Sequence, residues 1–178
     1  NQNVVGKQKM AELAASLVQD GDHLFLDAST TAVFIAKALK DKERLTLITN
    51  SIEILIELSD VSGWNIISTG GTMKEGYLAF LGAGAENAIR SYYVDKVFFS
   101  CKALDPERGI MESQEPFGST KKAMLSSARK KILVVDSSKF DQTAFAVAGS
   151  LRDVDVVVTD KCPDERWLAY FQDLGIEC

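Results

Sequence analysis

Apolar positions along the chain follow two periods. Between residues 10 and 18 they recur every three to four positions, which predicts a helix that ends at the polar residues 20–22. The next apolar run, 23–27, is short and predicts a strand. A hydroxyl-rich turn at 28–31 then leads into a second helical pattern at 32–39, and its side chains can cap that helix. The order helix, strand, turn, helix is typical of α/β domains.

The same unit recurs along the rest of the chain. Further strands are predicted at 45–49, 64–68, 96–100, 132–136 and 155–160, and further helices at 52–58, 86–92, 120–129 and 164–174. Alternation of this kind predicts a mainly parallel sheet with helices on both faces, because parallel strands need crossover connections. The segment 102–118 shows neither period, so we expect a long irregular loop that can cover a ligand.

Length and composition favour one compact domain over residues 1–178. The chain is 46% apolar, and none of its apolar runs approaches the roughly 18 residues of a membrane span. The first residues lack the pattern of a signal peptide, so we expect a cytoplasmic protein without a membrane partner. The chain begins at Asn1 rather than at a methionine, which indicates either a piece of a longer protein or a processed terminus.

Charge and residue types exclude several classes of function. The net charge of −5 is spread over interspersed acidic and basic residues, so we do not expect this chain to bind DNA by itself. A single histidine and three widely spaced cysteines argue against a metal site and against histidine-based catalysis. The chain lacks a dinucleotide fingerprint, a P-loop and a nucleophile elbow, so we expect no cofactor and no catalytic residues.

Polar or small residues follow three successive predicted strands. The first set combines a carboxylate with hydroxyls and lies where a helix begins, which suits either a phosphate or simple capping of that helix. Asn50 follows the second strand and a glycine pair follows the third. Carboxyl ends of parallel strands meet at one edge of a sheet, so these groups are expected to converge there. They are Asp27, Ala28, Ser29, Thr30, Thr31, Asn50, Gly70 and Gly71.

Lysines near the irregular segment are candidates for neutralising a phosphate. Lys102 precedes most of that segment, Lys121 and Lys122 follow it, and Lys139 comes after the strand at 132–136. Solvated surface lysines are the alternative interpretation, which we prefer for Lys122.

Seven short motifs occur in the order and spacing of a known family. The motifs are Asp27-Ala28-Ser29-Thr30-Thr31, Leu47-Ile48-Thr49-Asn50, Gly70-Gly71, Asp95-Lys96-Val97-Phe98-Phe99-Ser100, Lys121-Lys122-Ala123-Met124, Val135-Asp136-Ser137-Ser138-Lys139-Phe140 and Val158-Thr159-Asp160. In these motifs the chain resembles the C-terminal sensor domain of DeoR-family transcription repressors, over nearly its whole length.

The resemblance implies a fold, a ligand and partners. The fold would be similar to ribose-5-phosphate isomerase and CoA-transferases, and the ligand would be a phosphorylated sugar that modulates repression. Operator DNA would be bound by an N-terminal winged-helix domain that precedes this chain, within a homo-oligomer. The turn 27–31 would hold the phosphate or a neighbouring hydroxyl, Asn50 and Gly70-Gly71 would line the floor, and Lys102 and Lys121 would close over the ligand.

Four positions depart from the family pattern. Ala28 and Ser29 replace the usual serine and glycine, Ala103 stands where glycine is common, and Phe117 stands where a glutamate is expected. A Cβ at position 29 is expected to restrict any positive φ that the turn needs. The ring at position 117 removes an acceptor for sugar hydroxyls.

Two other hypotheses follow from the same observations. A sugar-phosphate isomerase-like enzyme would need a general base, and the carboxylates of the irregular segment are Asp105, Glu107, Glu112 and Glu115. The second hypothesis is a vestigial pocket in a domain that serves oligomerisation only, and it rests on the altered positions 29, 103 and 117.

Overall fold

The computed structural model describes residues 4–178 and contains six α-helices and eleven strands in that range. The helices are α1 (Val4–Ala15), α2 (Thr30–Ala38), α3 (Ile52–Glu57), α4 (Ala83–Arg90), α5 (Glu115–Ser126) and α6 (Glu165–Leu174). The strands are β1 (His23–Leu26), β2 (Thr46–Thr49), β3 (Asn65–Ser68), β4 (Thr72–Met73), β5 (Phe80–Leu81), β6 (Val94–Phe99), β7 (Ala103–Asp105), β8 (Gly109–Glu112), β9 (Ala128–Val134), β10 (Ala146–Gly149) and β11 (Val156–Val158).

A six-stranded sheet forms the centre of the molecule, in the order β11-β9-β6-β1-β2-β3. Every neighbouring pair in it is parallel. The chain first adds β2 and β3 on one side of β1, and later adds β6, β9 and β11 on the other side. The strand order therefore reverses between β1 and β6, the kind of point at which open α/β sheets bind ligands.

Two apolar cores lie on opposite faces of this sheet. Successive side chains of a strand point to opposite faces, so Leu24 and Leu26 pack with α1, α2 and α3, whereas Phe25 packs with α4, α5 and α6. The predicted fold class, a mainly parallel sheet with helices on both faces, is confirmed.

The prediction of an irregular loop at 102–118 is wrong. The segment contains the hairpin β7-β8 and the first turn of α5, and β10 pairs with β8 to complete a three-stranded antiparallel sheet. Charged residues, Pro106 and Gly109 interrupt the apolar positions of this segment, so neither strand forms a clear apolar run, and the partner strand β10 is distant in sequence. Pro106 lies in the hairpin turn and Pro116 in the first turn of α5, where proline is tolerated.

Several other boundaries differ from the sequence-based predictions. Helix α5 begins five residues earlier than expected and ends at Ser126. Arg129 therefore belongs to β9. Helix α4 begins at Ala83 rather than at residue 86. The short strands β4, β5 and β10 were not predicted, because two to four residues carry too little pattern. None of the helices formed by residues 4–178 is long and apolar enough to cross a membrane.

Gly109 allows β8 to approach β10 closely. Its φ is +88°, and a Cβ at this position would lie 2.5 Å from the carbonyl oxygen of Gly149. Gly63 also has a positive φ, +82°, but a Cβ there would meet no atom within 4 Å. The two glycines therefore differ only in the space around them.

We predict that Gly109→Ala lowers the free energy of unfolding by about 2–5 kcal/mol, because it adds a steric clash to the cost of a positive φ. Gly63→Ala should cost about 1–2 kcal/mol, the conformational part alone. Chemical denaturation of both variants measures the difference. Equal losses would show that the contact with Gly149 is relieved without cost.

Candidate functional site

A cavity of about 260 Å³ opens at the carboxyl ends of β1, β2, β6 and β9, where the strand order reverses. Its volume equals that of roughly nine water molecules at about 30 Å³ each. Nine of the residues that the sequence offered as ligand contacts line it: Asp27, Ala28, Ser29, Thr30, Thr31, Asn50, Lys102, Lys121 and Lys139.

The turn between β1 and α2 is held by Asp27 and Ser29. One carboxylate oxygen of Asp27 accepts the N–H of Ser100 at 2.9 Å, and the other accepts the hydroxyl of Ser29 at 2.6 Å. The Ser29 hydroxyl also accepts the N–H of Ala32 at 3.0 Å and thereby caps α2. Ser29 has a φ of −109°, so the expected conflict between its Cβ and a positive φ is wrong: the turn needs no positive φ.

The first turn of α2 points the positive end of its dipole at the cavity. Thr30 and Thr31 form this turn, and the first N–H groups of an α-helix have no acceptor within the helix. The Ser29 hydroxyl accepts the N–H of Ala32, and the Ser29 carbonyl accepts the N–H of Val33. The N–H groups and hydroxyls of both threonines are therefore suited to an anionic group in the cavity.

Lys121 forms a buried ionic cluster in the floor of the cavity. Its Nζ lies 3.2 Å from Asp27 Oδ2 and 2.6 Å from Glu112 Oε2, and it also donates to the carbonyl of Ser100. Burial by itself would lower the pKa of Lys121, but the charges of Asp27 and Glu112 outweigh burial and raise that pKa well above its ordinary value. Lys121 is therefore a cation already neutralised by protein carboxylates.

This position differs from the expectation that Lys121 closes over the ligand. Its ammonium group donates to Glu112 and to the Ser100 carbonyl and forms an ion pair with Asp27, so Lys121 supports the floor. Glu112, which the sequence offered only as one carboxylate of a loop, lies at the end of β8 and is buried. The short apolar run that precedes it was the available signal, and it is too brief to identify a strand.

Asn50 brings an unsatisfied acceptor to the cavity. The side chain is 3% exposed, and its Nδ2 donates to the carbonyl of Phe80 at 3.0 Å. Its Oδ1 is buried and has no hydrogen-bond partner among residues 4–178. Buried acceptors without a partner are rare, and a ligand hydroxyl would satisfy this one.

Gly70 and Gly71 do not line the cavity. Gly71 has a φ of +119°, and a Cβ there would lie 2.8 Å from the carbonyl oxygen of Leu81 and 2.9 Å from Cβ of Ala85. Gly71 therefore allows the chain just before β4 to pack closely against β5 and α4.

Three lysines from three separate elements surround the mouth of the cavity. Lys7 comes from α1, Lys102 lies just before β7, and Lys139 ends a 3-10 helix at Ser137–Lys139. None of the three forms an ion pair within the part of the chain that the structure describes. Lys7 was not predicted, because nothing in its local sequence indicates that α1 reaches the sheet edge.

One side of the cavity is aromatic. Phe117, in the first turn of α5, contacts Tyr77 edge to face with ring centroids 5.0 Å apart. The Tyr77 hydroxyl accepts a hydrogen bond from Nε2 of Gln114 at 2.8 Å. The ring of Phe117 thus occupies a wall of the cavity at the position where the resemblance led us to expect a carboxylate. Ala103 is buried in β7 and does not line the cavity.

Cys101 also lines the cavity, beside the Lys121 cluster. Burial raises the pKa of its thiol to about 12, an effect that the nearby Lys121 charge only partly opposes. Cys162 and Cys178 are exposed. Burial and the neighbouring Cys162 also raise the pKa of Cys178.

Comparison with known proteins identifies a sequence family. The family model described as the DeoR C terminal sensor domain matches residues 2–161. The chain is 42% identical to the uncharacterized HTH-type transcriptional regulator YulB of Bacillus subtilis strain 168, over 98% of this chain and 67% of that protein. It is 36% identical to the transcriptional repressor AccR of Agrobacterium fabrum strain C58, over 89% of this chain and 62% of that protein.

A third relative is the HTH-type transcriptional repressor GlcR of Bacillus subtilis strain 168, which is 34% identical over 96% of this chain and 66% of that protein. The chain spans about two thirds of the length of these curated relatives.

Solved structures share the fold. Ribose 5-phosphate isomerase A from Methanocaldococcus jannaschii superposes with a TM-score of 0.56 at 18% identity, covering 78% of this chain and 55% of that one. The structure of eIF2B delta from Chaetomium thermophilum gives a TM-score of 0.65 at 16% identity, covering 90% of this chain and 57% of that one. The expected similarity to the ribose-5-phosphate isomerase fold is confirmed, and identities this low show the fold alone.

We predict that Lys121→Met lowers the free energy of unfolding by about 3–5 kcal/mol, because it leaves Asp27 and Glu112 buried without their cation. Lys122→Met, at the exposed neighbouring position, should change it by less than about 0.5 kcal/mol. Adding Glu112→Gln to Lys121→Met should recover part of the loss. Urea denaturation tests all three variants, and equal stability of the two lysine variants would contradict the ionic cluster.

We predict that Cys101 is unreactive in the folded protein. With a pKa of about 12, about one thiol in ten thousand is ionised at pH 8, and the group is also buried. Titration with a chromogenic disulfide should label two cysteines in the native chain and three in guanidinium. The Cys101→Ala variant should give two in both conditions. Three reactive thiols in the native wild type would contradict the buried position.

Proposed function

We propose that this chain, which belongs to the family of DeoR C-terminal sensor domains, binds a phosphorylated sugar in the cavity at the sheet edge. Binding would modulate the attachment of a longer regulatory protein to operator DNA. The regulator would act in the cytoplasm as a homo-oligomer, the usual state of proteins that bind two-fold symmetric operators.

The observation that carries the proposal is the division of the cavity into two chemically different parts. The mouth presents the unpaired cations Lys7, Lys102 and Lys139, and the start of α2 adds free N–H groups. A phosphate dianion matches this set, because charge-assisted bonds to lysine and to a helix N-terminus both favour it. The 27–31 turn would then both cap α2 and contact the anion, so the two interpretations of its hydroxyls are compatible.

The floor suits hydroxyl groups. Asn50 Oδ1 lacks a donor, and the carboxylates of Asp27 and Glu112 each retain acceptor capacity beside their bonds to Lys121. Sugar hydroxyls donate to acceptors of this kind. A ligand with an anionic end and a polyhydroxyl body would therefore satisfy both parts of the cavity at once.

The relatives support a regulatory role for the longer protein. They are named as HTH-type regulators or transcriptional repressors, and each extends beyond the part matched by this chain. The net charge of −5, with acidic and basic residues interspersed along the chain, does not favour DNA binding by this chain alone. DNA contact would therefore come from an N-terminal winged-helix domain of the longer protein.

An isomerase-like enzyme is the competing hypothesis, and it needs a general base that is free to take a proton from the sugar. Three carboxylates line the cavity within residues 4–178: Asp27, Glu112 and Asp136. The first two hold Lys121, and Asp136 accepts the N–H and hydroxyl of Ser138. All three have structural bonds, which favours binding over catalysis.

We predict that isothermal titration with glucose 6-phosphate, glucosamine 6-phosphate, ribose 5-phosphate and fructose 1-phosphate reveals saturable binding by at least one of them. Lys102→Ala and Lys139→Ala should each weaken that binding about tenfold, because each removes one charge-assisted contact to phosphate. Lys122→Ala is the matched control, since this exposed lysine does not line the cavity.

The same compounds should not be converted. Turnover of ribose 5-phosphate or glucosamine 6-phosphate would favour the enzyme hypothesis. Failure of all four compounds to bind would favour a vestigial pocket in an oligomerisation domain. An equal loss of affinity in Lys122→Ala would show that overall charge, and not the mouth of the cavity, attracts the ligand.

A further inference from the structure

Helix α1 is anchored to the molecule by its second half only. Its buried residues are Met10, Ala11, Ala14 and Ala15, which pack in the core shared with α2. The first six residues of the helix contribute no buried side chain, and Val4 and Val5 are 40% and 64% exposed. The sequence of this half also disfavours a stable helix by itself, because it combines two β-branched residues with Gly6 and has no acidic residue in its first turn.

Lys7 is the one side chain of this weakly held half that lines the cavity. It shares the mouth with Lys102 and Lys139, which lie on elements that follow β6 and β9 of the central sheet. The carboxylates that line the cavity are engaged elsewhere: Asp27 and Glu112 bind Lys121, and Asp136 binds Ser138. Within residues 4–178, nothing anionic therefore ties Lys7 to the core in the unliganded chain.

We propose that Lys7 is a positioning residue that couples the ligand to α1. A dianion at the mouth of the cavity would contact Lys7 together with Lys102 and Lys139, and so fix the first half of α1 against the sheet edge. Ligand binding would therefore increase the order of α1. The ordered helix would then act on the part of the longer protein that precedes it. This inference rests on the proposed function, because it needs an anionic ligand in this cavity.

The physical basis is a coupling free energy between ligand binding and the ordering of α1. An anion that contacts Lys7 together with Lys102 and Lys139 would tie the helix to the core. A ligand that binds one state of α1 better than the other shifts α1 toward that state, and a change that fixes α1 raises ligand affinity by the same factor.

Hydrogen exchange on this chain tests the coupling directly. The amides of residues 8–10 donate to the carbonyls of residues 4–6 within α1, so their exchange reports the order of the first half of the helix. The ligand is the compound that binds wild type most tightly among the four sugar phosphates named above, at a concentration that saturates each variant. In wild type it should slow exchange at residues 8–10 by tenfold or more.

The matched variants are Lys7→Ala and Lys9→Ala. Lys9 is exposed, lies on the same helix and does not line the cavity. The ligand should protect the amides at the start of α2 in every variant, which shows that the cavity is occupied. Protection of residues 8–10 should be lost in Lys7→Ala, kept in Lys9→Ala and largely restored in Lys7→Arg.

The outcomes separate this inference from the proposed function. Protection of residues 8–10 in Lys7→Ala equal to that in wild type would overturn the coupling role while leaving ligand binding intact. Loss of protection in Lys9→Ala as well would also overturn it, since α1 would then respond to its own charge. Absence of binding by all four compounds would overturn the proposed function and this inference with it.

Discussion

The candidate site depends on the ion pairs and hydrogen bonds that the ammonium group of Lys121 forms. It joins Asp27 at the end of β1, the carbonyl of Ser100 after β6, and Glu112 at the end of β8. Asp27 and Ser100 lie on the two sides of the point where the strand order reverses, and Glu112 lies in the smaller antiparallel sheet. Burying charges is costly unless each is compensated, so the cluster is stable only when all of these elements are in place.

The cluster also determines what the cavity can recognise. Because the protein itself neutralises Lys121, the positive charge available to a ligand lies at the mouth, on lysines that the fold leaves unpaired. The floor keeps oxygen acceptors, and Asn50 adds one that is buried and unsatisfied. Phe117 and Tyr77 close one side with rings. The cavity therefore has cations at its mouth, oxygen acceptors in its floor and aromatic rings along one wall. This combination suits the proposed ligand, which has an anionic end and a hydroxylated body.

The fold alone does not decide between a sensor and an enzyme. A protein named as ribose 5-phosphate isomerase and a protein named as eIF2B delta share the architecture at identities below 20%. Function is carried by side chains placed on a fold. In this chain, the family match and the structural bonds of the cavity carboxylates favour a binding role. Under the coupling proposed above, a bound anion would reach the first helix through Lys7.

The sequence by itself determined the central sheet and part of the site. Strand and helix periods are local properties, so the alternation of apolar runs was sufficient to predict the parallel sheet. Residues that directly follow its strands, such as Asp27 and Asn50, could be assigned to one edge without any knowledge of packing. The glycine pair at 70 and 71 satisfied the same rule but lies outside the cavity, because the chain turns away there to pair β4 with β5.

Tertiary structure decided the rest. The antiparallel sheet depends on pairing between β8 and β10, which are more than thirty residues apart, so no local pattern indicates that they pair. Glu112 gained its role from that pairing. Lys7 reaches the mouth of the cavity only because α1 packs beside α2, and whether a lysine is neutralised, as Lys121 is, or unpaired, as Lys102 is, depends on distant carboxylates. Local patterns determine which elements form, whereas the charge and shape of a site come from contacts between residues far apart in the chain.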